Sequence, residues 1–96
     1  MRLVRPLDVT HAIHDGELVT VFVDGEVLLT EKSLTELAEL MPHLERVHRR
    51  ALLALASVER LRPLPSGGYL AFVAPAHEVP VSRQAARALR RKLGIG

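Results

Sequence analysis

Residues 43–61 read HLERVHRRALLALASVERL, and this stretch joins a basic cluster directly to a largely apolar block. Four basic side chains fall within five positions: Arg46, His48, Arg49 and Arg50. The block 51–58 follows without a break, which indicates cations held rigidly at the rim of a hydrophobic core. A phosphate-binding surface needs such rigidity, because loose charged side chains lose conformational entropy when they bind. A solvated charged face beside an ordinary buried segment explains this stretch, taken alone, about equally well.

A second basic block and the overall distribution of charge favour the first interpretation. Residues 79–93 read VPVSRQAARALRRKL and contain five bases and no acid. Residues 1–40 hold eight acids and three bases, whereas residues 41–96 hold ten bases and three acids. Such an uneven distribution of charge between the two halves of the chain predicts a polyanionic partner. We favour nucleic acid over a membrane surface, because no stretch combines a basic face with bulky aromatic anchors.

Length and composition predict one small domain over residues 1–96. Hydrophobic residues make up 48% of the chain, enough for a core, and the absence of cysteine excludes a disulfide framework and a thiolate zinc site. The first twenty residues lack the apolar segment of a signal peptide, and the longest apolar run is far too short to span a membrane. The sequence therefore predicts a cytoplasmic domain with no membrane partner.

The first half of the chain predicts a meander of three strands and then a short helix. Strands are expected at 9–13, 18–23 and 26–30, separated by the turn signals Asp15-Gly16 and Asp24-Gly25. Ser33 and Glu36 have the spacing of a capping box, which predicts a helix that Pro42 ends. This helix would carry one apolar stripe: Leu34, Leu37, Ala38, Leu40 and Met41.

The last third of the chain predicts two strands and a basic helix. Residues 69–73 and 77–81 are expected to be strands joined by a turn at Pro75-Ala76. Ser82 is placed to cap a helix over 83–93, with Gly94 at its end. Its inward-facing residues would be Ala86, Leu89 and Leu93.

Catalytic and metal motifs are weak throughout. The pairs His11/His14 and His43/His48 have no cysteine or carboxylate at zinc-motif spacing, and no serine has the context of an activated nucleophile. Gly67-Gly68 is not followed by the Lys-Ser/Thr of a phosphate-binding loop. We therefore expect neither an enzyme nor a bound metal or cofactor.

Three segments in order, RVHRRALLAL, GGYLAFV and VPVSRQAARAL, together resemble the LytTR family, the DNA-binding output domains of many bacterial response regulators. The resemblance covers roughly residues 8–93. It implies a mainly β fold of antiparallel sheets, with one short helix in mid-chain and a short C-terminal helix. Propensity alone would draw one helix through RRALLALASVERL. The resemblance implies instead a strand at 44–47, a helical turn near 50–54 and a strand at 57–62.

The resemblance also implies how DNA would be bound, by loop side chains that enter successive major grooves. Arg49 would lie at a base-reading position, and Gln84, after the Ser82-Arg83 pair, at a second one. The other expected contacts come from the same two segments and from the first turn: His14, Glu17, Arg46, His48, Arg50, Ser82, Arg83 and Arg87. The sequence departs from the family pattern in three places: Glu17 is an acid, Arg50-Ala51 replaces Ser-Tyr, and Leu53-Ala54 replaces Val-Asn.

The predicted function is therefore sequence-specific binding of double-stranded DNA and regulation of transcription. The alternative is a free-standing protein-interaction module of the same fold that modulates another regulator. An RNA-binding β domain comes third, because aromatic stacking platforms are missing. Expected partners are duplex DNA and, in a longer protein, a receiver domain. The isolated domain is expected to be monomeric and to pair on repeated DNA sites.

Overall fold

The computed structural model describes residues 5–23 and 25–94, which fold into two antiparallel sheets and two α-helices. The strands are β1 (Val9–Asp15), β2 (Leu18–Val23), β3 (Glu26–Thr30), β4 (Leu44–His48), β5 (Ala51–Ala54), β6 (Val58–Pro63), β7 (Tyr69–Val73) and β8 (His77–Val81). The helices are α1 (Leu34–Leu40) and α2 (Arg83–Leu93), and short 3-10 turns lie at Pro6–Asp8 and Leu55–Ser57. The predicted fold class is confirmed.

The larger sheet has the strand order β3-β2-β1-β5-β4 and forms the middle layer of the molecule. Helix α1 packs on one face of it, against β1, β4 and β5. On the other side β8 packs against β4 and β5, and α2 packs against β4. The smaller sheet has the order β6-β7-β8. Two cores result, one on each face of the larger sheet.

Strand β5 explains why the apolar block is not a helix. All four of its residues are buried. Leu52 and Ala54 belong to the core beneath α1, whereas Ala51 and Leu53 belong to the core beneath the smaller sheet and α2. A strand covered on both faces must be apolar at every position, so it has the same hydrophobic pattern as a buried helix. The helical turn expected near 50–54 is therefore wrong, because the turn comes later, at Leu55–Ser57.

Helix α1 begins as the sequence predicts. The Ser33 hydroxyl accepts from the Glu36 backbone N–H, and the Glu36 carboxylate accepts from the Ser33 N–H, both at 3.1 Å. Leu34, Leu37 and Met41 are buried. Leu40 is 60% exposed and does not belong to the buried stripe, since at 100° per residue it points roughly a third of a turn away from the other members.

Helix α2 also follows the sequence closely. Ala86 and Leu89 are buried against the smaller sheet, and Gly94 ends the helix in the left-handed conformation with φ 74°. The inward orientation predicted for Leu93 concerns a side chain outside the described ones. Neither helix in the described part of the chain is long and apolar enough to cross a membrane.

One polar side chain is fully buried between the two sheets. His11 on β1 is 1% exposed and stacks on Phe22 of β2, with ring centroids 4.0 Å apart. The ring of His77 on β8 lies at 5.1 Å, tilted against it. The Thr10 hydroxyl is 2.8 Å from His11 Nδ1, so the buried imidazole has a hydrogen-bond partner.

Candidate nucleic-acid interface

The three segments predicted to contact DNA lie side by side at one end of the molecule. The β1–β2 turn is joined to the β4–β5 turn by a hydrogen bond from the His14 N–H to the Arg50 carbonyl, at 2.9 Å. The N-cap of α2 is joined to β4 by a hydrogen bond from the Ser82 N–H to the Val47 carbonyl, at 2.7 Å. Residues from three distant parts of the sequence therefore share one rigid surface.

Arg46 shapes the β4–β5 turn from within. Its Nε donates to the His48 carbonyl at 2.9 Å, and its Nη2 donates to the Arg49 carbonyl. A guanidinium has five N–H donors, so the turn uses only part of its capacity and the rest can still meet an anion. The side chains of Arg49 and Arg50 are exposed, and they project from a turn whose carbonyls are held by the Arg46 side chain.

His48 is held as a neutral side chain. Burial lowers its pKa below the ordinary value, and the nearby charges of Arg49, Arg50 and Arg46 lower it further. Its Nδ1 accepts from the Arg50 backbone N–H at 3.2 Å, and a backbone N–H can only donate. The proton of the neutral ring is therefore on Nε2. His48 can donate one hydrogen bond to a phosphate or base acceptor, while the positive charge of the turn resides on its arginines.

The start of α2 presents a capped helix N-terminus beside this turn. The Ser82 hydroxyl accepts from the Ala85 N–H at 3.1 Å, and Arg83 and Gln84 are exposed in the first turn of the helix. An open groove of about 370 Å³ runs between the two segments. It is lined by residues from both of them, including Arg46, His48, Arg49, Ser82 and Gln84.

Two of the predicted site residues, Arg87 and Glu17, are less clearly part of this basic surface. Arg87 is exposed one helical turn beyond Arg83 and does not line either groove that reaches Ser82. Glu17 is exposed in the β1–β2 turn, so a carboxylate accompanies His14 there. Farther along α2, Lys92 forms an ion pair with Glu45 of β4, so this cation already has a partner within the fold.

A fourth loop at the same end was missed by sequence reasoning. Residues 64–68 join β6 to β7, and a second groove of about 300 Å³ is lined by Ser66, Gly68, His48, Ser82 and Arg83 among others. The Arg83 Nη2 donates to the Ser66 carbonyl at 3.0 Å. The sequence signals there were the loop-forming residues Pro63, Pro65, Ser66, Gly67 and Gly68, which indicate only a connection between two strands.

Among residues 5–23 and 25–94, no group of three or more His, Cys, Asp or Glu side chains is placed to hold a metal ion. The chemistry that this end of the molecule offers is hydrogen bonding and positive charge, supplied by arginines, a neutral histidine, an amide and a helix N-terminus. Such donors match phosphate oxygens and the acceptor atoms of base edges.

The fold and this end of it define a class of protein, a small two-sheet β domain whose loops carry a basic surface rich in hydrogen-bond donors. The sequence profile of the LytTr DNA-binding domain matches residues 1–94, so the chain belongs to the LytTR family of DNA-binding domains. The resemblance inferred from the sequence is confirmed. The family is defined by DNA binding.

A solved structure has the same fold. It is the LytTr DNA-binding domain of a Bacillus cereus protein described as a methyl-accepting/DNA response regulator. That structure is 22% identical in sequence and superposes with a TM-score of 0.82, over 95% of this chain and 85% of the other. No curated protein matches the sequence.

Ser82 allows the structural and the DNA-contacting roles of this surface to be separated. Replacing Ser82 with alanine removes the cap and should lower the free energy of unfolding by about 0.5–2 kcal/mol. We expect DNA affinity to fall more than this loss of stability explains, because Arg83 and Gln84 depend on the capped turn. Ser82→Asp should keep the cap and repel phosphate. Thermal melts and DNA titrations of both variants measure the two effects, and an aspartate variant that binds DNA like the parent would show that this turn is structural only.

Proposed function

We propose that this domain binds double-stranded DNA in a sequence-specific way, with loop side chains in successive major grooves, and regulates transcription as the output domain of a response regulator. The observation that carries the proposal is the gathering of the three loops by the His14–Arg50 and Ser82–Val47 hydrogen bonds. Membership of the LytTR family supports duplex DNA as the partner.

Base reading is assigned to the side chains at the tips of the loops. Arg49 is exposed at the β4–β5 turn, and an arginine can donate two hydrogen bonds to O6 and N7 of guanine. Arg83 has the same capacity at the start of α2. Gln84 beside it can pair with N6 and N7 of adenine. Each such pair is worth about 1–3 kcal/mol of discrimination against a wrong base.

Phosphate contact is assigned to the side chains behind these tips. Arg50 is exposed next to Arg49, and Arg46 keeps N–H donors that the turn does not use. His48 contributes its Nε2 proton, and Arg87 extends the basic surface along α2. Glu17 can accept from N4 of cytosine but repels phosphate, so we assign it a base edge or no contact.

The setting of the domain is part of the proposal. A LytTR domain in a response regulator would act in the bacterial cytoplasm, with a receiver domain in the same protein. We propose that the isolated domain is monomeric and that two copies pair only on repeated DNA sites. Residues 1–96 then act as one unit.

A protein-interaction module is the second candidate, and one observation favours it. Strand β3 lies at an edge of the larger sheet, and its side chains Val27 and Leu29 are 56% and 65% exposed. An exposed apolar edge strand is a surface to which another chain can add. RNA binding is not favoured, since Phe22 is between the sheets and Phe72 lies beneath the Arg60 guanidinium.

Selection of bound sites from random duplex DNA tests the proposed function. The proposal expects one enriched motif, whereas an interaction module or an RNA-binding domain would enrich none. Selection from random RNA under the same conditions is the matched control. An RNA motif without a DNA motif would contradict the proposal.

A pair of substitutions distinguishes base reading from general attraction to DNA. Arg49→Ala should weaken binding to the selected site by about 1–3 kcal/mol and relax discrimination at one base pair. Arg91→Ala removes another exposed arginine, near the end of α2, and should weaken all sequences alike or have little effect. Competition with single-base variants of the site measures both. If Arg49→Ala weakens every sequence equally, Arg49 contacts the backbone and reads no base.

A further inference from the structure

The loop at residues 64–68 is closed by its own backbone. The Leu64 N–H donates to the Gly68 carbonyl at 2.9 Å, and the Gly67 N–H donates to the Leu64 carbonyl at 3.0 Å. Gly68 is buried, and a Cβ added to it would come within 2.7 Å of the Val81 carbonyl at the end of β8. The loop is therefore seated firmly against the strand that leads into α2.

This loop holds the side chain of Arg83 in two ways. The Ser66 carbonyl accepts from Arg83 Nη2 at 3.0 Å. Gly67, with φ +93°, lies so close that a Cβ there would be 2.8 Å from Arg83 Nε and 3.2 Å from its Cδ. The guanidinium thus lies against a backbone surface that only glycine leaves open.

We propose that the loop at residues 64–68 is a positioning element that sets the direction of Arg83 and so determines specificity at one base pair, although no loop side chain reads a base. This inference rests on the proposed function. An arginine side chain loses up to about 2 kcal/mol of conformational freedom when it is fixed. The Ser66 carbonyl imposes that order before DNA arrives, while one bond leaves the rest of the five N–H donors for guanine.

Gly67 is the position at which this arrangement can be disturbed with the least effect on packing. The atoms nearest to an added Cβ belong to the flexible Arg83 side chain, so the guanidinium can move aside, and the remaining cost is the backbone strain of the left-handed φ. Gly68 does not offer this, because the obstructing atom there is a backbone carbonyl of β8.

The test is Gly67→Ala with Gly25→Ala as its matched control. Gly25 also has a left-handed φ, +81°, but an added Cβ would meet nothing within 4 Å, and it lies in the β2–β3 turn at the opposite end of the larger sheet. Both variants carry the same kind of backbone strain. We expect only Gly67→Ala to reduce discrimination at one base pair of the selected site, by about five- to tenfold. Gly67→Asn, which tolerates left-handed φ better, is the second variant should alanine prevent folding.

A double-substitution cycle supplies a result that a merely structural loop would not give. In an Arg83→Ala background, Gly67→Ala should have no further effect on discrimination, because the side chain that it displaces is gone. If the parent selects a DNA site and Gly67→Ala discriminates between bases as well as Gly25→Ala does, this inference is overturned and the proposed function stays intact. Equal effects of Gly67→Ala with and without Arg83 would overturn it as well. A parent that selects no duplex site would overturn both.

Discussion

The affinity of the domain for duplex DNA is expected to fall by about two to three orders of magnitude between about 50 mM and about 200 mM monovalent salt. Each neutralised phosphate contributes about 0.9 log units of affinity per log unit of salt, and we expect about four to six such contacts. The physical basis is the basic half of the chain, residues 41–96, with ten bases against three acids. Titrations of one duplex at several salt concentrations give the slope.

Single neutralising substitutions locate the contacts behind that slope. Arg50→Gln at the β4–β5 turn should lower the magnitude of the slope by about one unit. Arg60→Gln is the matched control, because Arg60 is also exposed but lies on β6 with its guanidinium 4.3 Å from the centroid of Phe72. The salt dependence of DNA binding by the Arg60→Gln variant should have the same slope as that of the parent. A salt response that is flat for the parent would contradict the proposed electrostatic surface altogether.

Lowering the pH from about 7 to about 4.5 is expected to remove about 2–3 kcal/mol from the free energy of unfolding through His11 alone. Burial between the two sheets lowers the pKa of His11 to about 4, and the neighbouring His77 contributes in the same direction. The unfolded chain binds this proton near the ordinary pKa of 6.5, before the folded state does. The stabilisation is therefore complete above about pH 6.5 and is lost as the pH falls toward 4.

Denaturant unfolding at a series of pH values measures this loss, and His11→Phe tests its origin. Phenylalanine keeps an aromatic ring against Phe22 but cannot bind a proton, so the variant should lose about 2–3 kcal/mol less than the parent over the same interval. The ring protons of His11, followed by NMR, should titrate near pH 4. Titration near pH 6.5 would contradict the assignment.

Local sequence signals determined the ends of the helices and the first three strands of this protein. The capping pair Ser33 and Glu36, the N-cap Ser82 and the terminal Gly94 each act through hydrogen bonds or dihedral angles within a few residues, and each appears in the structure as predicted. The meander β1–β2–β3 follows from β-branched and aromatic residues, alternation in β1 and tight turns. Such signals can be read from sequence because the interactions behind them are local.

Strand β5, which is buried on both faces, could not be predicted from local signals. An apolar run such as Ala51–Ala54 fits a buried helix and a doubly covered strand equally, and only the presence of α1 on one face and the smaller sheet on the other decides between them. The resemblance to a family indicated strands around it but put the helical turn too early.

In the candidate site, too, some features follow from local sequence and others only from long-range contacts. Its arginines, histidine and serine could be named from the sequence, because charge and motif order are properties of the chain. Their proximity depends on backbone hydrogen bonds between distant residues, His14 to Arg50 and Ser82 to Val47, and no local sequence pattern encodes these bonds. The same is true of the loop that holds Arg83 through Ser66, seventeen residues away. The sequence by itself determined which groups could bind a polyanion, and the tertiary structure decided which of them share a surface, because long-range pairing of strands brings those loops together.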